Sequence, residues 1–259
     1  MSKLLIIAYV IISILIFVTY NHLENYINDP YITVIAECGL CNKLQVLLSY
    51  LYKANKEGKK LQIYWNISEE CPDKYEKLFK AIDNVDIKYS YLTKTNYANN
   101  IKNYIYDFKT YWNHEKSNFI KENYYLLLKP LPEIQNEIDN TKLQLGENYI
   151  ACHIRRTDAL KHRDYKKHIK NDTEYINFIN QYPKDLKIYI ATDCRNTQKK
   201  FINLYNDRII YKKIENNNNL RQTSMQDAVK DIYICVGATY FMKSVGSFSD
   251  TIMILRNKQ

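Results

Sequence analysis

The chain has 259 residues, 46% of them hydrophobic and 25% charged, which excludes a disordered chain and suits one or two domains. Its net charge of +9 lies entirely in the second part: residues 1–150 carry 17 Lys against 17 acidic residues, and residues 151–259 carry 13 Lys and 7 Arg against 11. Because the first part is neutral and no nucleic-acid-binding motif is present, we do not expect a nucleic-acid partner. A small anionic ligand bound by the second part agrees better with this charge distribution than a nucleic acid does. The planar guanidinium of arginine, its fork, can bind a phosphate through two parallel hydrogen bonds.

The first apolar segment predicts a membrane anchor within residues 1–21. Leu4 to Tyr20 is a run of 17 residues without a charge, at the short end for a spanning helix. A cleaved signal peptide is the alternative, although no small-x-small cleavage site follows the run. Lys3 before the run and acidic residues after it predict a single-pass protein with a lumenal body, in the Golgi or endoplasmic reticulum.

Beyond residue 30, predicted strands and helices alternate on both sides of a break near residue 146. In the first domain, residues 30–145, strands are predicted at 31–36 and 61–65, and helices at 40–54, 72–82 and over most of 95–145. In the second domain, residues 146–259, strands are predicted at 148–154, 186–192, 208–212 and 239–243, and helices near 173–181, 195–205, 223–236 and from residue 248. This alternation predicts an α/β fold of two doubly wound, Rossmann-like domains with parallel sheets.

Polar residues follow three predicted strands of the second domain, where such folds bind their ligands. The segments are HIRRTD (153–158), ATD (191–193) and SVGSFSD (244–250). The last combines a glycine, which is scarce in this chain, with hydroxyl groups and a helix N-terminus, a combination that suits an oxyanion. Each segment alone has an ordinary structural interpretation, such as helix-capping serines. Their coincidence at three strand ends favours a binding site.

HIRRTD, IYIATD and QDAVKDIYICVGATYFMKSVGSFSD resemble the three-motif core of the fucosyltransferase superfamily, above all the α1,6-fucosyltransferases and the related nodulation fucosyltransferases. Residues 39–65 resemble the first strand–helix–strand unit of those enzymes. The resemblance implies a glycosyltransferase B fold and inverting transfer of fucose from GDP-fucose, or of the sugar of another nucleotide sugar, to a glycan hydroxyl. It also implies that no metal or other cofactor is needed, and the sequence contains no metal-holding DxD triplet.

The resemblance also implies roles for individual residues. Arg155 would bind the β-phosphate of the departing GDP, and Arg156 would be the second essential arginine of the motif. The other residues implied to bind substrate are His153 and Asp193 on the guanine side, Ser247 at the diphosphate, Ser249, and Asn42 in the acceptor-side turn.

The catalytic base is where the sequence departs from the α1,6 enzymes. Those enzymes have a lysine directly after the motif aspartate and a glutamate a few residues later, whereas this chain has Ala159 and Arg163 there. Because a carboxylate must take the proton of the acceptor hydroxyl, Asp164 is the predicted base and Asp158 the second choice. The remaining alternatives are Asp107, Glu115 and Glu122, reaching across the cleft.

Two other functions remain open from the sequence. Cys38 and Cys41 form a C-x-x-C pair between a predicted strand and helix, which is typical of thiol–disulfide oxidoreductases. That interpretation leaves HIRRTD unexplained. The substituted base positions are also compatible with a degenerate transferase that binds a nucleotide sugar without turnover.

Overall fold

The protein is described by a computed structural model, which covers residues 11–19, 29–91, 105–107, 118–161, 167–214 and 223–258. The strands in these ranges are β1 (Tyr31–Ala36), β2 (Lys60–Asn66), β3 (Val85–Ser90), β4 (Ile105–Asp107), β5 (Tyr149–Ile154), β6 (Lys187–Thr192), β7 (Ile209–Ile210) and β8 (Tyr240–Met242). The longer helices are α1 (Leu40–Lys56), α2 (Pro132–Leu145), α3 (Asp172–Ile179), α4 (Arg195–Tyr205), α5 (Met225–Val236) and α6 (Ser247–Arg256).

The strands form two four-stranded sheets, and every pairing in them is parallel, as the alternating pattern predicted. The strand orders are β3-β2-β1-β4 and β7-β6-β5-β8. In the second sheet the chain leaves β5 toward β6 on one side and returns to β8 on the other. The switch point, where doubly wound folds bind ligands, therefore lies between β5 and β8.

Two parts of the first domain differ from the predicted elements. The helix predicted at 72–82 is wrong, since only a 3₁₀ turn forms there, at Tyr75–Lys77. The reason is tertiary packing: Tyr75 stacks on Phe79 and meets Trp65 edge to face, and Phe79 forms a β-bridge with Pro130. Within the stretch predicted as mostly helical, residues 105–107 instead form β4 beside β1.

The predicted membrane anchor is only partly covered by the structure. Residues 11–19 are helical, and their apolar side chains are exposed. The rest of the predicted anchor, residues 1–10 and 20–21, lies outside the described residues. Over the ranges that the structure describes, no helix is both long and apolar enough to cross a membrane.

Two helix pairs join the first unit to the second. Helix α1, buried over most of its length, packs on β1 and β2 and also on α6, and α2 packs on α5. The guanidinium of Arg256 fixes the end of α6, because it donates to the carbonyl oxygens of Cys235 and Val236 at 3.0 Å each. These carbonyls lie at the C-terminus of α5, where intrahelical partners are missing. The end of α6 is thereby held against the end of α5.

Candidate functional site

Arg155 lies directly after β5, at the switch point of the second sheet. Its backbone amide donates to Oγ of Ser244, in the loop that follows β8 (3.3 Å). Its guanidinium binds Asp158 through two parallel bonds, Nε to Oδ1 at 3.2 Å and Nη2 to Oδ2 at 2.7 Å. This bidentate pair holds the arginine fork beside the β8 loop.

His153 and Ser249, both predicted to bind substrate, are buried where β5 meets α6. Ser249 Oγ lies 2.6 Å from Nδ1 of His153 and accepts the backbone N–H of Ser244 at 2.9 Å. Burial, together with the nearby Arg155 cation, lowers the pKa of His153 to about 3, so its imidazole is neutral. Both side chains therefore tie β5 to the start of α6.

Asp193 and Arg156 hold the shape of the HIRRTD loop. Asp193 follows β6 and accepts the backbone N–H of Arg156 at 2.8 Å and the hydroxyl of Thr157 at 2.6 Å. Burial raises the pKa of Asp193 above its usual value. The Arg156 guanidinium donates to Asp172 at 2.7 Å and lies over the ring of Tyr175. The structure thus gives both predicted site residues partners within the protein.

Position 246 requires a glycine, because of its backbone conformation and because Arg155 lies close to it. Its φ of +94° is one that L-residues rarely adopt. A Cβ atom at this position would stand 2.6 Å from Nη1 of Arg155. The next residue, Ser247, is half-buried and begins α6. Nη1 of Arg155 thus faces a helix N-terminus, and the two together favour an anion.

We expect Gly246→Ala to weaken anion binding at this loop, for which GDP is the probe, and to lower the stability of the fold. The backbone strain costs on the order of 1–3 kcal/mol, and the new methyl group displaces the Arg155 guanidinium. Gly58→Ala is the matched control, because Gly58 also has a positive φ (+65°) but nothing lies within 4 Å of the added Cβ. Thermal unfolding and GDP titration of both variants measure the two effects. A Gly246→Ala protein with normal GDP affinity would contradict this placement of Arg155.

The first unit contributes the N-terminal turn of α1, which contains Asn42. The buried Tyr125 connects this turn to the second unit, since its hydroxyl lies beside Gln45 of α1 and Thr251 of α6. Asn42 stands one turn before Gln45, and Ser247 stands one turn before Thr251. The predicted substrate-binding residues Asn42 and Ser247 thus lie in the first turns of two helices that pack on each other.

A cavity of about 270 Å³ lies between the second sheet and helices α2 and α5. Thr192 lines it, and the Thr192 hydroxyl donates to the carbonyl oxygen of Ile154, the residue before Arg155. Asp231 of α5 also lines it and accepts the hydroxyl of Tyr189 at 2.6 Å. Burial raises the pKa of Asp231 to about 7. Sequence analysis did not identify Asp231, whose only signal is an acidic residue on a largely buried helix.

Two of the lysines that line the same cavity form ion pairs with two further carboxylates. Lys230 Nζ lies 2.7 Å from Glu137 and 2.6 Å from Asp227. Lys212 binds the same two carboxylates, at 3.5 Å and 3.0 Å respectively. The hydrogen bond from Lys230, followed by the other lysine interactions, holds the pKa of Glu137 below its usual value despite partial burial. This network joins α2, the segment after β7, and α5 around one cavity.

Two of the five candidate catalytic bases, Asp164 and Glu115, lie outside the described residues, as does Arg163. Asp107 ends β4, in register with Ala36 of β1, at the carboxyl edge of the first sheet. Glu122 forms a surface ion pair with Lys56 at 3.4 Å. Asp158 is engaged by Arg155, as described above.

The C-x-x-C cysteines do not have the surroundings of a reactive thiol. Cys41 is buried in the first turn of α1, and Cys38 is half-buried with a φ of +69°. Burial, reinforced by Glu70 and Glu37, raises the pKa of Cys38 above that of a free thiol. Reactive thiols require the opposite shift, because the thiolate is the nucleophile.

Comparison with known proteins identifies the fold. Neither a protein-family model nor a curated protein sequence matches the chain. Solved structures do match, among them NodZ α-1,6-fucosyltransferase soaked with GDP-fucose, at a TM-score of 0.56 and 14% identity over 87% of this chain and 92% of that one. POFUT1 in complex with GDP matches at a TM-score of 0.57 and 11% identity, over 88% and 94% of the two chains. Fucosyltransferase NodZ from Bradyrhizobium matches at 0.53 and 15%, over 87% and 93%.

The chain has the fold of these fucosyltransferases. The similarity extends over both sheets, which agrees with the resemblance of the two sequence regions 39–65 and 148–255 to that superfamily. In this fucosyltransferase-like fold, the loops around Arg155 and Gly246 occupy the carboxyl edge of the second sheet, at its switch point.

Proposed function

We propose that the chain is an inverting, metal-independent glycosyltransferase that transfers fucose from GDP-fucose to a glycan hydroxyl. One observation carries the proposal: the Arg155 fork is held at the switch point, facing the loop of Gly246 and the N-terminus of α6. The fold supports it, because the similar structures include NodZ soaked with GDP-fucose and POFUT1 in complex with GDP-fucose.

The chemistry of glycosyl transfer explains why an arginine is needed there. As the bond to the sugar breaks, negative charge grows on the departing diphosphate, and donors fixed at that oxygen lower the barrier. A phosphate between Nη1 of Arg155 and the first turn of α6 meets a cation and backbone N–H groups together. The bond pair to Asp158 orients the fork before substrate arrives. These groups supply the charge stabilisation that a metal ion supplies in other transferases.

The cavity beside the loop suits the base of the donor nucleotide. Thr192 and Ile154 are neighbours in register, and adjacent strands lie about 4.8 Å apart, so the cavity is one strand away from the phosphate groups. The ionised carboxylate of Asp231 accepts hydrogen bonds, and guanine presents N1–H and its 2-amino group as adjacent donors. We therefore assign the guanine to this cavity, with Asp231 as its acceptor. His153 and Asp193 then support the site from the interior.

Asp164 remains the proposed base, and two variants test it. Asp164→Asn is expected to lower the transfer rate while GDP affinity stays near that of the wild type, because the base acts on the acceptor hydroxyl. Asp158→Asn is expected to weaken GDP binding as well, since it releases the Arg155 fork. GDP affinity and turnover are measured for both variants. An Asp164→Asn enzyme with normal turnover would remove Asp164 from the mechanism.

The proposal retains a single-pass anchor in a Golgi or endoplasmic reticulum membrane, which rests on the apolar segment 4–20 alone. In sealed membranes the body of the protein should resist added protease until detergent opens them. Digestion without detergent would reverse the topology.

Release of GDP decides between the proposed activity and its alternatives. The protein is incubated with GDP-fucose and a mixture of glycan acceptors, with and without EDTA, and free GDP is measured. The proposed enzyme releases GDP both with and without EDTA, and it does so rapidly only when an acceptor is present. A degenerate transferase would bind GDP-fucose without releasing GDP. A thiol–disulfide oxidoreductase would bind neither GDP-fucose nor GDP. Activity lost in EDTA and restored by manganese would overturn the metal-independent mechanism.

A further inference from the structure

A series of hydrogen bonds connects the imidazole of His153 to Arg155. Nδ1 of His153 lies 2.6 Å from Oγ of Ser249, in the first turn of α6. The same oxygen accepts the backbone N–H of Ser244 at 2.9 Å, and Oγ of Ser244 accepts the backbone N–H of Arg155 at 3.3 Å. His153, Ser244 and Ser249 are all buried. The imidazole is thus linked through two serines to the residue that the proposed function places at the diphosphate.

The contacts of Ser249 decide which nitrogen of the imidazole carries the proton. A serine hydroxyl has one hydrogen to donate and two lone pairs that accept. Ser249 accepts from Ser244, and over the residues that the structure describes its other polar contact is Nδ1 of His153. If Nδ1–H were the donor, the hydrogen of this buried hydroxyl would have no acceptor. Because burial lowers the pKa of His153 to about 3, the ring is neutral. Nδ1 is therefore the acceptor, and Nε2 carries the proton.

The same hydrogen bonds hold the β8–α6 loop, residues 243–246, against the Arg155 guanidinium. Ser244 lies in this loop, and its amide and its hydroxyl are both bonded. Two residues later, a Cβ atom at Gly246 would stand 2.6 Å from Nη1 of Arg155, so the loop backbone is close to the fork. The ring of Phe248 packs on the imidazole, with 4.5 Å between the ring centroids. A displaced Ser249 would move the backbone that faces the guanidinium.

We propose that His153 is a positioning residue that fixes the β8–α6 loop against Arg155 by accepting the hydroxyl hydrogen of Ser249. This inference rests on the proposed function, which places a diphosphate between Arg155 and the first turn of α6. The sequence resemblance implied a different role, a contact between His153 and the guanine side of the nucleotide. The two roles support different parts of the ligand, since the loop supports the diphosphate alone.

Titration of the full chain with GDP and with inorganic pyrophosphate, the latter in competition with GDP, separates the two roles. His153→Phe keeps a flat ring beside Phe248 and removes the acceptor. We expect it to lower the affinities for GDP and for pyrophosphate by the same factor, roughly tenfold, as for the loss of one hydrogen bond. His153→Asn should recover most of this loss, because its amide oxygen is an acceptor near the position of Nδ1.

Tyr149→Phe is the matched control. Tyr149 begins β5, at the opposite end of the strand from Arg155, and its buried hydroxyl donates to the carbonyl oxygen of Ile234 at 2.6 Å. This variant also loses one buried hydrogen bond, so it should lower the thermal stability while both affinities stay at the wild-type values. His153→Phe combined with Ser249→Ala should lose no more affinity than the weaker-binding single variant, because both changes break the same series of bonds.

The outcomes separate this inference from the proposed function. A His153→Phe protein that binds GDP more weakly but pyrophosphate normally overturns the positioning role in favour of a base contact. Unchanged affinity for both ligands overturns it as well, while GDP binding itself stands. A wild-type protein that binds neither ligand overturns the proposed function and this inference together.

Nuclear magnetic resonance of the wild type tests the same contact if His153→Phe does not fold. In two-bond ¹H–¹⁵N spectra, Nδ1 of His153 should have the chemical shift of an unprotonated ring nitrogen and Nε2 that of a protonated one. Both shifts should stay constant from pH 5 to 8, because the ring is neutral throughout. A proton on Nδ1 would overturn the role that we propose for His153.

Discussion

Arg155→Lys should lower turnover on the order of 10²-fold or more, the largest effect that we expect from a conservative change. A lysine keeps the charge but loses the fork. It can neither bind both oxygens of Asp158, as Arg155 does at 3.2 and 2.7 Å, nor present a second, fixed donor to the departing diphosphate. Steady-state rates of GDP release, with GDP affinity measured in parallel, give the size of the loss.

Arg208→Lys is the matched control for that variant. Arg208 precedes β7, at the amino edge of the second sheet, and its guanidinium donates to the carbonyl oxygens of Leu186 and Pro183 at 3.1 and 3.2 Å. The parallel strands carry the candidate site at their opposite, carboxyl ends. Arg208→Lys should therefore retain wild-type turnover. Near-full activity of Arg155→Lys would show that Arg155 does not contact the diphosphate.

Affinity for GDP-fucose should fall as the pH drops below about 7. Burial raises the pKa of Asp231 to about 7, although the hydrogen bond from Tyr189 and the charges of Lys230 and Lys212 oppose the shift. Guanine requires the ionised carboxylate, so affinity should level off above pH 8 and fall about tenfold per pH unit well below pH 7. GDP-fucose without acceptor is the suitable ligand, because its diphosphate has no group that titrates in this range.

Two variants assign that pH dependence to Asp231. Asp231→Asn should bind more weakly at pH 8 and lose the dependence between pH 5 and 8. Tyr189→Phe removes a hydrogen bond that favours the ionised form, so its transition should move to higher pH. His153, with a pKa of about 3, stays neutral throughout. A wild-type profile that persists in Asp231→Asn would assign the titration to another group, such as Asp193.

The loops and the cavity at the carboxyl edge of the second sheet show which parts of the site the sequence could predict. The motif HIRRTD was expected at the end of a strand, and in the structure His153 and Ile154 are the last residues of β5 and Arg155 follows directly. Asp193 was expected at the nucleotide, and the structure shows its two oxygens accepting from Arg156 and Thr157, whereas the carboxylate that lines the cavity is Asp231. A sequence motif shows that a polar residue follows a strand. It does not show whether the side chain meets the ligand or the neighbouring loop.

The two incorrect helix predictions in the first unit, at residues 72–82 and 105–107, have a related cause. The pattern of residues 72–82 suits a helix, yet Tyr75 and Phe79 pack with Trp65 into an aromatic cluster, and only a 3₁₀ turn forms. Strand β4 has three residues, too few for a period-two pattern, and exists because β1 offers an unpaired edge. Tertiary contacts outweigh local preference in both segments.

The sequence by itself determined the α/β class, the parallel sheets and the position of Arg155 and Gly246 at strand ends. These features follow from local hydrophobic patterning and from the rule that parallel strands share one carboxyl edge. Only the tertiary structure decided which groups meet there. Lys230 binds Glu137 across 93 residues of sequence, and the backbone N–H of Arg155 donates to the Ser244 hydroxyl across 89. Contacts at such separations depend on how α2, α5 and the β8 loop pack on the second sheet, and no local pattern encodes that packing.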